Sequence, residues 1–182
     1  MAKDPIVQDG DPVLRQVAKA VPQKDLGSPA IFKVIKKLKQ ALAPEKYGVA
    51  IAAPQVGESL RIFVVAGRVF KPEGQESTPV DLESSQHEHP QTPAALDKVY
   101  INPEITRASR AKLDESEGCL SVRNMYGVVA RHERVTLKFI DEEGNPQTQN
   151  ASGLLGHIFQ HEVDHLNGIL FIDKAKDLHE SK

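Results

Sequence analysis

Residues 153–168 read GLLGHIFQHEVDHLNG and predict a long, mostly buried helix. Apolar residues recur on and beside one of its faces, and the Asn-Gly pair at 167–168 is typical of residues that end a helix. The helix contains the pattern H-E-x-x-H, formed by His161, Glu162 and His165. Two histidines four positions apart share one face of a helix, so both can bind one metal ion with the glutamate beside it. Because buried histidine and glutamate without partners would be unfavourable, we interpret the pattern as a metal site.

A catalytic site of this kind needs a third protein ligand. One class of zinc protease continues with H-x-x-G-x-x-H, but this chain continues with LNGILFID at 166–173. Another class takes a glutamate from a following helix, and the glutamate available downstream is Glu180, in a charged tail. Upstream, the single cysteine of the chain, Cys119, lies in the turn-like segment EGCLS at 117–121. A lone cysteine is often a packed small residue, but cysteine with two histidines would leave a fourth position open for water, as in a catalytic metal site.

The rest of the chain predicts a second helix and several strands. Ser28-Pro29 is a helix start signal, and apolar residues at helical spacing follow it. Asp11-Pro12 gives a similar signal for a short helix over VLRQVAKAV. Extended segments are predicted at 60–66, 99–105, 111–122 and 127–141, with a short strand between the hairpin turn DEEGNP and Gly153. Strands followed by one buried helix indicate an α+β fold, with mainly antiparallel sheets packed around the helix that carries HEVDH.

Length and composition favour one globular domain with one insertion. The chain has 182 residues, of which 40% are hydrophobic and 26% charged, and its formal net charge is −2. Residues 71–97 are rich in Pro, Glu, Ser and Gln, and we interpret them as a polar insertion within a single domain spanning 1–182. The near-neutral charge gives no case for nucleic acid or an anionic membrane as a partner. Short apolar runs, an N-terminus without a signal-peptide pattern and the lone cysteine together predict a cytoplasmic location.

A third segment, GVAIAAPQVG at 48–57, is small, glycine-bounded and apolar, and it ends near an amide side chain that could face a ligand. Alone this pattern is weak, because a buried strand and turn would look the same. In the order GVAIAAPQ, EGCLS and HEVDH, however, the three segments together resemble the motifs of the peptide deformylases, which remove the formyl group from nascent polypeptides. The resemblance covers nearly the whole chain, from IVQDGDPVLRQVAKAV at 6–21 to NGILFID at 167–173.

The resemblance implies a role for each residue of the three motifs. The implied metal ligands are Cys119, His161 and His165. Glu162 would be the general acid and base, while the Gln55 side chain and the backbone N–H of Leu120 would stabilise the oxyanion. The residues expected to line the peptide-binding cleft are Gly48, Val49, Ala50, Glu117, Gly118 and His157, with His157 beside the methionine pocket. The implied reaction is metal-dependent hydrolysis of the formamide of an N-terminal formylmethionine, which releases formate.

The resemblance also implies a cofactor and partners. The expected metal is Fe²⁺ in the cell, although Zn²⁺, Ni²⁺ or Co²⁺ would also suit a thiolate and two imidazoles. The expected partners are formyl-Met nascent peptides near the ribosome exit, without direct binding to nucleic acid or membrane. A monomer is expected.

Two features keep alternatives open. The family pattern has glycine where this chain has Ala50, and the insertion at 71–97 is long for the simplest members. A deformylase-like binding protein without catalysis is therefore one alternative, and a zinc protease or another metal amidase is the second. Outside the motifs, we interpret His87-Glu88-His89 as surface and His132 as structural, and we take Arg131 as a candidate partner for the aspartate of HEVDH.

Overall fold

The chain forms two β-sheets around a buried helix, in a computed structural model that describes residues 4–70 and 95–181. The elements in chain order are α1 (Pro29–Leu42), β1 (Ala50–Ala52), β2 (Ile62–Val65), β3 (Lys98–Ala108), β4 (Lys112–Cys119), β5 (Val122–His132), β6 (Arg134–Ile140), β7 (Pro146–Ser152), α2 (Gly153–Leu166) and β8 (Lys176–Glu180). This arrangement confirms the predicted α+β class. Most of the predicted insertion, residues 71–94, lies outside the described residues, and so does His87-Glu88-His89.

The strands divide into a sheet of five, in the order β1-β2-β3-β6-β7, and a sheet of three, in the order β4-β5-β8. Within the described residues, every pair of neighbouring strands is antiparallel. A single residue, Glu133, separates β5 from β6, yet the two strands belong to different sheets. The turn between β6 and β7 is the predicted hairpin, and Gly144 accommodates it with a φ of 89°.

The helix α2 lies between the two sheets and has the predicted bounds. On its apolar side, Phe159 is fully buried, with its ring centroid 6.0 Å from that of Phe63 and 5.1 Å from that of Tyr100. Burial of one such aromatic side chain stabilises a fold by about 1.5–3 kcal/mol. The helix ends because Gly168 adopts a φ of 74° and its N–H bonds to the carbonyl of His165. The other side of α2 carries the metal motif and faces the three-stranded sheet.

The helix α1 covers the opposite face of the five-stranded sheet. Ser28 caps it by accepting a hydrogen bond from the N–H of Ile31, and Pro29 occupies the first helical position, as predicted. The buried residues of α1 share a cluster with side chains of β1 and β2. This packing holds β1 in place. The first motif, residues 48–57, includes β1 and the 3-10 turn that follows it.

The prediction of a helix over VLRQVAKAV is wrong beyond its first turn. Asp11 does cap the turn, but the helix is a 3-10 turn that covers only Pro12–Arg15. After it the chain is extended, because the N–H of Ala18 bonds to the carbonyl of Leu166 at 2.9 Å and the N–H of Lys19 bonds to the carbonyl of Ser59 at 3.0 Å. Long-range backbone hydrogen bonds therefore replace those that a longer helix would have made.

Candidate active site

Three candidate metal-ligand atoms from separate parts of the chain meet at the end of β4. The donor atoms of Cys119, His161 and His165 all lie within 4.8 Å of one another, and Cys119 Sγ is 3.2 Å from Nε2 of His165. The two histidines converge because they are four residues apart on α2. Cys119 reaches them because β4 ends in a tight turn, across which Cys119 pairs with Val122.

These residues fit a divalent metal. One thiolate and two imidazoles form a donor set that suits Zn²⁺, Fe²⁺ and related ions, and three protein ligands leave a position for water. Beside them Glu162 is 3% exposed, and its Oε2 has no hydrogen-bond partner among the described residues. Burial raises the pKa of Glu162 to about 7. A buried carboxylate oxygen without a protein partner is consistent with a partner that the protein chain does not supply.

Glu117 orients two histidines of α2 at once. Its Oε2 lies 2.8 Å from Nδ1 of His161, and its Oε1 lies 2.7 Å from Nε2 of His157. Because a carboxylate accepts, the His161 N–H donates from Nδ1, which leaves Nε2 of that ring to face a metal. Burial alone would raise the pKa of Glu117, but the bonds from His157, His161 and Arg131 outweigh it and hold that pKa well below its ordinary value.

Arg131 joins Glu117 to the aspartate of the HEVDH motif. Its Nε and Nη2 lie 2.6 and 3.0 Å from the two oxygens of Glu117, and its Nη1 lies 2.6 Å from Oδ2 of Asp164. The predicted pairing of Arg131 with Asp164 is therefore confirmed. Burial would lower the pKa of Arg131, but its bonds to these two carboxylates raise it above the ordinary value.

Gln55 approaches the cysteine from the first motif. It lies in a 3-10 turn that directly follows β1, and its Oε1 accepts a hydrogen bond of 2.8 Å from the N–H of Ala52. Its Nε2 is 3.2 Å from Oγ of Ser121 and 3.5 Å from Sγ of Cys119. The amide donor is thus held beside the thiol of Cys119, a candidate metal ligand. Leu120 follows Cys119 in the turn and lines the same space.

A cleft of about 680 Å³ opens over these groups. One wall is the outer edge of β1 and the residues before it, and the other is the outer edge of β4, so the cleft runs between the free edges of the two sheets. Its lining includes all of the residues predicted to bind substrate, Gly48, Val49, Ala50, Glu117, Gly118 and His157, together with Gln55, Cys119, Leu120, His161 and Glu162. His165 is 1% exposed and lies beneath the cleft floor.

The cleft has further lining residues that the motifs did not reveal. These are Glu45, Lys46, Tyr47, Glu115, Ser116, Arg123, Asn124, Tyr126, Leu154 and Ile158. Arg123 lies 2.9 Å from a carboxylate oxygen of Glu45, which joins the start of β5 to the loop before β1. Arg68 donates to the backbone carbonyls of Glu45 and Gly48 and so supports the same loop. Tyr126 lies opposite Gly118 in the β4–β5 pair, but it falls between the strands predicted at 111–122 and 127–141, so the sequence contained no signal for it.

Comparison with known proteins agrees with this geometry. The family model described as polypeptide deformylase matches residues 3–181 of the chain. The chain belongs to the polypeptide deformylase family. A related peptide deformylase 2 from Nostoc sp. is 36% identical over 172 residues, which are 94% of this chain and 86% of that protein. Members of this family are metallohydrolases that remove N-formyl groups from nascent polypeptides, and this chain is an enzyme of that class with a divalent metal.

Solved deformylase structures share the fold. A class I type b peptide deformylase from Acinetobacter baumannii, crystallised with Met-Ala-Ser, superposes with a TM-score of 0.74 at 33% identity and covers 93% of this chain and 96% of its own. A Synechococcus elongatus peptide deformylase in complex with actinonin gives a TM-score of 0.72 at 34% identity, over 97% of this chain and 82% of its own. In the described part of the present chain, neither helix is long and apolar enough to cross a membrane.

Proposed function

We propose that this deformylase acts on the N-terminal formylmethionine of nascent polypeptides, with Fe²⁺ held by Cys119, His161 and His165 in the cell. The proposal rests on the position of Glu162 at the floor of a cleft between two sheet edges, beside the three donor atoms, with its Oε2 lacking a hydrogen-bond partner in the part of the chain that the structure describes. Zn²⁺, Ni²⁺ or Co²⁺ can replace Fe²⁺ in preparations, because the donor set suits each of them.

The two sheet edges suit an extended peptide. Edge strands present unpaired N–H and C=O groups, so the substrate backbone can add as a strand beside β1, β4 or both. Gly48, Val49 and Ala50 supply one edge, and Glu117 and Gly118 supply the other. The methionine side chain then lies near His157 and Ile158. The Met-Ala-Ser peptide found with the related Acinetobacter enzyme supports a peptide as the ligand.

The protein groups around the formyl carbon divide the chemistry among them. A divalent metal held by Cys119, His161 and His165 would supply Lewis-acid activation of the attacking water and of the formyl oxygen. Glu162 accepts the proton that the water loses as its oxygen bonds to the formyl carbon. The side-chain N–H of Gln55 and the backbone N–H of Leu120 stabilise the negative charge on the formyl oxygen. Glu162 then delivers the proton to the methionine nitrogen as the C–N bond breaks, which yields formate and a free N-terminus.

The remaining expectations belong to the same proposal. We infer a monomeric enzyme with one catalytic domain over 1–182, into which residues 71–97 are inserted. It acts in the cytoplasm near the ribosome exit, where its substrates emerge.

The proposal is tested by formate release. The protein is purified without oxygen, loaded with Fe²⁺ and incubated with formyl-Met-Ala-Ser, alongside the variant Glu162→Gln, which keeps the shape of the side chain. We expect formate from the wild type, and at least a 10²-fold loss in the variant with unchanged metal content. No formate from iron-loaded wild type would contradict the proposal. Binding of the peptide without turnover would favour a deformylase-like binding protein without catalysis. Cleavage of internal peptide bonds would favour a protease.

A further inference from the structure

A continuous line of charged contacts runs from the protein surface to the candidate metal ligand His161. It begins at Lys174, whose side chain is 40% exposed and whose Nζ lies 2.7 Å from each carboxylate oxygen of Asp164. Oδ2 of Asp164 also accepts a hydrogen bond of 2.6 Å from Nη1 of Arg131. Arg131 donates hydrogen bonds to both carboxylate oxygens of Glu117, and Glu117 in turn accepts a hydrogen bond from Nδ1 of His161.

The charges in this line balance only when Lys174 is included. Glu117 and Asp164 supply two negative charges in a buried setting, where their side chains are 2% and 12% exposed. Arg131 alone supplies one positive charge, and it must serve both carboxylates. Lys174 supplies the second. Within the described residues, the Lys174 side chain donates to Oδ1 of Asp164, whereas Arg131 donates to Oδ2 of that carboxylate.

Without Lys174, Asp164 would retain Arg131 as its one cationic partner in the described ranges 4–70 and 95–181. An unbalanced buried carboxylate attracts the nearest cation, because charges interact strongly away from water. Arg131 would then shift its guanidinium towards Asp164 and weaken its two bonds to Glu117. Glu117 would hold the imidazole of His161 less firmly, and the direction in which Nε2 of that ring points would become less well defined.

We propose that Lys174 is a positioning residue of the metal centre, which acts through Asp164, Arg131 and Glu117 to orient His161. This inference rests on the proposed metal-dependent function. Lys174 lies far along this line from the reacting atoms, so its effect is on metal binding. A plain surface ion pair would behave differently, because exposed Lys–carboxylate pairs contribute little to stability and nothing to a distant ligand.

The test compares Lys174→Met with Lys174→Arg and with a matched control, Lys176→Met. Lys176 is exposed in β8, two residues further on, and has no side-chain hydrogen bond among the described residues. Each protein is stripped of metal and titrated with Co²⁺ against a competing chelator, while the visible absorption of the bound Co²⁺ reports ligand geometry. Circular dichroism of the metal-free proteins checks that all of them fold.

We expect Lys174→Met to bind Co²⁺ about 10-fold more weakly, as is typical when an outer partner of a metal ligand is removed, and to change the Co²⁺ absorption. Lys174→Arg should restore most of the affinity, and Lys176→Met should match the wild type. Equal affinity and an unchanged spectrum in a folded Lys174→Met would overturn the inference while leaving the proposed function intact. A wild type that binds no Co²⁺ would overturn both.

Discussion

Gly118 lies directly opposite Tyr126 in the β4–β5 pair, and the tyrosine ring occupies the space where a side chain at position 118 would be. A β-carbon on Gly118 would come within 2.8 Å of Cε1 of that ring. Because Tyr126 also lines the cleft, the glycine at position 118 determines the position of the tyrosine ring in this wall of the cleft.

Gly118→Ala should therefore displace Tyr126 and alter substrate binding. Tyr126 is 41% exposed and its ring can move aside, so we expect a stability loss of no more than about 1 kcal/mol, below the range for overpacked cores, together with a raised KM for formyl-Met-Ala-Ser. The same change made in a Tyr126→Ala background should have a smaller effect on both quantities. Equal effects in the two backgrounds would show that the ring is not the obstacle. Thermal unfolding and steady-state kinetics provide the measurements.

Arg131→Met should destabilise the protein strongly. The change leaves Glu117 and Asp164 buried without their shared cation, and loss of one partner from a buried ion pair typically costs about 3–5 kcal/mol. Urea unfolding measures the loss. Arg134→Met is the matched control, because Arg134 is exposed on β6 and should change stability by no more than about 0.5 kcal/mol. Similar unfolding midpoints for the two variants would contradict the structural role of Arg131.

Gln55→Ala should lower kcat by about 10²–10³-fold, because it removes the donor that we propose stabilises the developing oxyanion. Its Nε2 also bonds to Ser121, so Ser121→Ala tests whether that contact alone accounts for the loss. We expect Ser121→Ala to keep most of the activity and both variants to keep their metal, measured by elemental analysis. A Gln55→Ala enzyme with wild-type kcat would exclude this residue from the reaction.

Ala50→Gly should change kcat/KM by no more than a few-fold. Ala50 lies in β1 in extended conformation, opposite Val65, where a methyl group is compatible with the backbone. Its side chain is buried in a cluster with Phe63 and Val65, so glycine should lower stability by about 0.5–1 kcal/mol. A gain in kcat/KM of several orders of magnitude would mean that alanine obstructs the cleft.

The sequence was sufficient to predict the two long helices, because α1 combines a start signal, and α2 a stop signal, with apolar residues at helical spacing. It also predicted that two histidines on α2 would share one face. The meeting of Cys119 with those histidines was inferred from the missing third ligand, the single cysteine and the family motifs, because no local pattern encodes a contact between residues more than forty positions apart.

Other features depend on tertiary contacts that local patterns do not contain. The chain after Arg15 is extended because it bonds to the end of α2 and to the loop before β2, against its local helical signal. The strand β8 forms in a charged tail that has little strand propensity, because β5 offers it a free edge. The link from Lys174 to Glu117 involves four separate elements or loops, and only its Arg131–Asp164 step was predicted.

The cleft between β1 and β4 has a consequence for the behaviour of the protein at high concentration. An open edge that can pair with a substrate peptide can also pair with another copy of the chain, which is the first step of aggregation. Both edges have features that limit this risk. β1 is only three residues long, and the exposed part of β4 carries Lys112 and Asp114. These charges hinder the regular stacking of identical strands, whereas a single short peptide needs only the few residues beside Cys119.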